Sequence, residues 1–298
     1  MTTSAAVRFD AEHAAVGQAL ERLAAHAAST LDPRIAHAVT YALTGPGKRL
    51  RPILLIAAYR AAGGRGDVTA LAAAVEVVHA YSLVHDDLPC MDDDDVRRGR
   101  PTVHKRHGVV AATAAGVAMV PLAARAAVEA AQALGLDADA RSRIVRALMH
   151  ASGTHGMIGG QLLDLEAEGK RLDAAQLEQV HRLKTGALIE ASVVIGGLAA
   201  RAPAGTRDAL QRYGAAVGLA FQIADDVLDV TATTAELGKT AGKDAAHGKS
   251  TYPAALGLDG ARARAAGLAD EACAALAAAG ITDPALEHLA RFAVVRAS

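Results

Sequence analysis

Residues Tyr81–Thr102 read YSLVHDDLPCMDDDDVRRGRPT, with six aspartates in ten residues between an apolar run and a pair of arginines. Asp86, Asp87 and Asp92 make a DDxxxxD pattern. Asp86 and Asp87 are expected to close a helix, Pro89 to end its regular hydrogen bonding, and Asp92 to return on the following turn. A hard cation such as Mg2+ takes oxygen ligands and keeps several waters, so a few carboxylates facing one cleft suffice. Arg97 and Arg98 add fixed positive charge suited to phosphate oxygens. Acid and base side by side suggest a metal-bridged polyphosphate ligand. A solvated acidic loop with a basic rim is the plain alternative for this stretch alone. A calcium loop fits worse, because a twelve-residue ligand frame here has no Gly at its sixth position.

Upstream, Val75, Val78, Leu83 and Val84 continue the apolar helix, which Asp67 or Thr69 is placed to cap. His79 lies seven residues before Asp86, two turns back on the same face, so it points toward the same cleft. His85 adjoins the aspartates, and sequence does not fix its direction. Further back, Gly45-Pro-Gly-Lys-Arg-Leu-Arg-Pro52 gathers Lys48, Arg49 and Arg51 within four residues, between Gly and Pro residues that restrict the backbone.

Downstream, Asp225, Asp226 and Asp229 form DDxxD inside an apolar helix, with Asp225 and Asp229 one turn apart. Two unit charges ~4 Å apart repel by roughly 4 kcal/mol at an effective dielectric of ~20, unless a cation sits between them. Facing each other across a helical bundle, the two clusters could hold several Mg2+ ions around one diphosphate. Lys48, Arg51, Arg97, Arg98, Lys184, Lys239 and Lys249 could neutralise the remaining charge, although a solvated side chain is the ordinary reading of any one of them.

The chain has 298 residues, 52% of them hydrophobic, yet aromatics reach only 3% and there is no Trp. Alanine supplies much of the apolar surface, which favours helices packed closely on small side chains. A net charge of −1 gives no global field to recruit nucleic acid. Cys90 and Cys273 offer neither a disulfide framework nor zinc spacing, which suits a reducing cytoplasm. The amino end lacks the apolar run of a signal peptide, and the most apolar stretches are interrupted by Arg, Glu or Pro, so no membrane span is expected.

Periodicity predicts helices over about 10–29, from Asp32-Pro33, over 53–62, and down to the aspartates. Further helices are expected over 109–134 with a kink at Pro121, over 141–150, over 173–200 and over 213–230. A polar loop spans 231–250, and two helices follow it. No stretch alternates with period two, so no strand is expected. Without a linker or a fixed repeat, residues 1–298 read as a single all-α domain, a bundle of long helices.

Taken together, these residues resemble the trans-isoprenyl diphosphate (polyprenyl) synthase family, most closely its bacterial farnesyl-forming branch. The resemblance runs from GKRLRP at Gly47 through EVVHAYSLVHDDLPCMDDDDVRRGRPT, GGQLLDL, KTGALI, FQIADDVLD and LGKTAGKDAAHGKSTYPAALGL to Arg296. It implies a bundle around a deep cavity, normally as a homodimer, and head-to-tail condensation of isopentenyl diphosphate with dimethylallyl or geranyl diphosphate. Farnesyl diphosphate is the expected product, with a geranylgeranyl-forming enzyme as the alternative. A class I terpene cyclase would mix Asn, Ser and Glu into the second motif, and a non-catalytic partner subunit would have lost one motif.

By the same resemblance, Asp86 and Asp92 hold two Mg2+ ions and Asp225 a third, and Lys184 joins them in catalysis. Asp87, Asp226 and Asp229 support the ions through waters. Lys48, Arg51, His79 and Arg98 match the isopentenyl side, while Arg97, Lys184, Thr185, Gln222, Lys239 and Lys249 match the allylic side. Tyr81 and Ser82, roughly 6–8 Å deeper along the helix than Asp86, are expected to set chain length. One departure stands out. Gly116-Val-Ala-Met-Val120 and Pro121 replace a Gly-Asp-Ala-Leu-Leu element, which puts the cavity wall in question.

Overall fold

The computed structural model describes residues 8–231 and 250–295, and within them nearly every element is a helix. In order these are α1 (Asp10–Thr30), α2 (Pro33–Leu43), α3 (Leu50–Ala61) and α4 (Thr69–Asp86). Then come α5 (Val103–His107), α6 (Val109–Ala133), α7 (Ala138–Ser152), α8 (Met157–Glu166) and α9 (Ala174–His181). The last four are α10 (Ala187–Ala199), α11 (Ala204–Thr231), α12 (Tyr252–Ala277) and α13 (Pro284–Val294).

Local chemistry sets many of the starts. Asp32, Asp137, Asp173 and Asp283 each accept a backbone N–H in the first turn of α2, α7, α9 and α13, and Thr251 does so for α12. Pro occupies the first turn of α2, α12 and α13, where its missing N–H costs nothing. The core falls into two apolar clusters, and α3 feeds both: Leu55, Ile56 and Tyr59 enter one, Leu50, Ile53, Leu54, Ala57 and Ala58 the other.

Three expectations are corrected. Val96–Arg97 and Arg100–Pro101 pair as a two-residue antiparallel hairpin (β1, β2), too short for period-two patterning to reveal. The helix expected over 173–200 is interrupted by a π-helical turn at Arg182–Gly186. The helix expected from 213 begins nine residues earlier, at Ala204. The helix expected over 109–134 is present as α6, with Pro121 inside it. By length and composition alone α6 could cross a membrane, but Ala112, Ala115, Met119, Ala123 and Ala127 bury one of its faces in the core. The expected loop at 231–250 lies, apart from its two ends, outside the described residues.

Candidate active site

α4 ends as its sequence requires, with Asp87 at the C-cap, and the chain folds back so that the Asp92 N–H donates to the Asp86 carbonyl at 2.9 Å. Asp86 and Asp92 are thus brought side by side. Burial pushes the Asp86 carboxyl above its ordinary range; nearby Lys184 opposes this, and the negative charges of Asp92 and Asp164 add to it. Asp87 is buried and turned to Arg97, whose Nε donates to it at 2.5 Å, while Nη2 reaches Asp94 at 3.2 Å. Burial outweighs that arginine and raises the Asp87 carboxyl to about 6.

The β1–β2 hairpin aims the other arginine. Arg98 (φ 53°) and Gly99 (φ 72°) form its two-residue turn, with both φ positive as a type I′ turn requires. Arg98 Nη1 donates to the Pro46 carbonyl at 2.9 Å, and Nη2 donates to His79 Nε2 at 3.3 Å. A Cβ at Gly47 would stand 2.4 Å from Arg98 Nη1, so a larger residue there would push this guanidinium aside. Burial first, then the charges of Arg51, Arg98, Arg97 and Arg49, hold the His79 imidazole well below its ordinary range. His79 is therefore a neutral acceptor within a basic group. Arg51 is buried in the first turn of α3, and Lys48 is exposed on the loop before it.

A π turn joins the two acidic motifs. Lys184 Nζ, within it, pairs with Asp164 Oδ2 at 2.6 Å beside Asp86, and the next residue, Thr185, donates through Oγ1 to Gln222 Oε1 at 2.7 Å. Gln222 Nε2 in turn donates to Asp226 Oδ1 at 3.2 Å. The turn fits because Gly160 and Gly218 flank it: a Cβ at Gly160 would meet Lys184 N at 2.1 Å, and one at Gly218 would meet Gly186 Cα at 2.7 Å.

Asp226 is buried, with Oδ2 bonded to His181 Nε2 and to the Tyr252 N–H, each at 3.0 Å. Both its oxygens are held by protein, bracing α11 against α9 and the start of α12. Asp225 is half-buried one residue earlier; Asp229 is buried, and its Oδ1 has no protein partner.

The donor set of Asp86, Asp92 and Asp225 is all oxygen, crowded carboxylates surround Asp86, and a buried carboxylate oxygen lies orphaned at Asp229. These residues fit a hard divalent cation.

Tyr81 is buried, its hydroxyl 3.4 Å from the Ser152 carbonyl and its ring edge-on to His85 at 5.7 Å. Ser82 is also buried, and its hydroxyl bonds back to the His79 carbonyl. His85 donates through Nε2 to the Thr113 carbonyl and lies against Gly116, where a Cβ would meet the ring at 2.0 Å. Lys239, Lys249 and Arg296 lie outside the described residues.

Sequence reasoning passed over three participants. Asp164 stood in plain view within GGQLLDL. Glu76, three residues before His79, forms a buried pair with Arg49 at 2.8 Å. His181 immediately precedes the π turn and carried no signal of its own.

A sequence model of the polyprenyl synthetase family matches residues 32–278. Farnesyl diphosphate synthase of Escherichia coli (strain K12) is 48% identical over 256 residues, covering 84% of this chain and 85% of that protein. An FPP/GFPP synthase from Zymomonas mobilis, solved without ligand, superposes with a TM-score of 0.84 at 36% identity, over 97% of this chain and 100% of its own. A Helicobacter pylori geranyltransferase, complexed with magnesium and isoprenyl diphosphate, superposes with a TM-score of 0.78 at 29% identity, over 98% of both chains.

Proposed function

This chain belongs to the polyprenyl synthetase family, and from that premise we propose that it condenses isopentenyl diphosphate head-to-tail with dimethylallyl or geranyl diphosphate, giving farnesyl diphosphate as main product. The observation that carries the reading is the convergence of both aspartate motifs on one π turn, through Lys184 on one side and Thr185–Gln222 on the other.

Asp86, Asp92 and Asp225 would hold Mg2+, three ions in all, which supplies charge neutralisation and makes the allylic diphosphate a better leaving group. Lys184 and Arg97 add fixed positive charge on the allylic side. Lys48, Arg51, His79 and Arg98 bind the isopentenyl diphosphate, with His79 fixed as a neutral acceptor by Arg98. Thr185 and Gln222 set oxygen dipoles beside the ion-binding carboxylates, the arrangement that stabilises a developing allylic cation. Tyr81 closes the space behind Asp86 and limits the tail to fifteen carbons, and Ser82 is too small to do so. The intact Lys48, Arg51, His79 and Arg98 set favours elongation over cyclisation, which needs no second diphosphate.

Residues 1–298 act as one domain, and the chain as a homodimer. The outer face of α6 supports the dimer: Val110 (85% exposed), Val117 (62%) and Val128 (39%), together with exposed Pro121, form an apolar stripe. A second copy is the occupant that the family predicts for it. Free Cys90 and Cys273 suit a reducing cytoplasm.

The role of the aspartates is tested by Asp225→Ala and Asp86→Ala. Loss of an ion contact is worth several kcal/mol at the transition state, so turnover should fall roughly a thousandfold with helicity unchanged. Near-normal turnover of either variant at saturating Mg2+ would overturn the assignment.

A further inference from the structure

Beside the proposed reaction centre, on the loop that leaves it, stands a second cluster of different chemistry. One ligand atom from each of Asp93, Asp95 and His104 lies within 4.8 Å of the other two. The two aspartates are exposed, whereas His104 is 5% exposed and its Nε2 is buried without a hydrogen-bond partner.

The tautomer of that imidazole follows from its neighbours. Thr102 Oγ1 spends its single proton on the Asp94 carbonyl, at 2.7 Å. At 3.1 Å from His104 Nδ1 it can then act only as acceptor, so the proton of the ring sits on Nδ1. Nε2 is left with a lone pair, facing Asp93 Oδ1 at 3.9 Å. A lone pair opposite a carboxylate oxygen is repulsive unless a positive charge lies between. Lys105 occupies one edge of Asp95, at 2.7 Å from Oδ1.

We propose that Asp93, Asp95 and His104 bind one divalent transition-metal ion of the zinc class, at a site separate from the Mg2+-type aspartate motifs. An imidazole nitrogen with two carboxylates suits zinc or cobalt, whereas Mg2+ prefers oxygen alone. The Thr102 hydroxyl plays the outer partner that fixes the tautomer of a ligating histidine. Once bound, the ion ties the segment after Asp92 to the first turn of α5, and so steadies the carboxylate just before it. The site does not depend on the prenyl-transfer reading.

The test uses the full chain, stripped with a chelator and returned to millimolar Mg2+ so that oxygen-only sites are filled. Co2+ is then added and its visible absorption followed, with Zn2+ as competitor. One Co2+ per chain with nitrogen-type bands, displaced by Zn2+, is the expected result. His104→Gln should weaken binding at least about tenfold. Because His104 is buried, the exposed double change Asp93→Asn with Asp95→Asn provides the same test without threatening the core. Absence of nitrogen-ligated Co2+ above Mg2+, or unchanged binding in the double variant, would overturn the proposal. So would loss of the signal in Asp225→Ala, which would place the ion in the reaction centre instead.

Discussion

Arg49 and Arg51 stand two residues apart in one basic run, and the fold gives them different roles. Arg49 takes a left-handed conformation (φ 51°) and turns inward to Glu76, with further bonds to the carbonyls of Leu43 and Gly45. Removing one partner of such a buried pair costs about 3–5 kcal/mol, so its substitution reports on folding rather than on substrate. Arg51 exerts the largest arginine charge on His79, and Arg49 the smallest of the four. Arg51→Ala should therefore raise the KM for isopentenyl diphosphate far more than that for the allylic substrate. Steady-state kinetics with each substrate varied in turn checks this, and equal shifts would mean that the basic residues are wrongly divided. The presence of the cluster was legible in GKRLRP, but its division was not, because a single φ at Arg49 decides which guanidinium turns inward.

At the scale of elements, the long helices were readable because apolar spacing and caps announce them. The π turn at Arg182–Gly186 was not, since one extra residue in a turn leaves the surrounding periodicity almost intact. Its cause lies in tertiary contact with Gly160 and Gly218, far away in sequence. The α6 departure shows the same limit. Val117 and Pro121 face outward on the stripe, while Gly116 and Met119 of the same element are buried. If that stripe is the dimer face, Val117→Glu places a charge in an apolar contact. Light scattering should then give two chains for wild type and a shift toward one for the variant. A single-chain mass for wild type, or an unmoved dimer in the variant, would contradict this use of α6.

Over the whole molecule, a net charge of −1 conceals a strong local separation. Acidic groups line the ends of α4 and α11, while basic groups collect on the loop before α3 and on the β1–β2 hairpin, and α3 belongs to both apolar clusters. The fold thus holds both diphosphate-binding faces on one shared core. Both motifs and their order were legible from sequence; how they meet required the π turn and the hairpin. The most direct measurement is the chain length of the products formed from isopentenyl and dimethylallyl diphosphates, with wild type and Tyr81→Ala run side by side. A fifteen-carbon main product from wild type, and twenty carbons or more from the variant, is the predicted result. A cyclic hydrocarbon, or no elongation by wild type, would contradict the central claim, and a variant that still stops at fifteen carbons would remove Tyr81 as the floor.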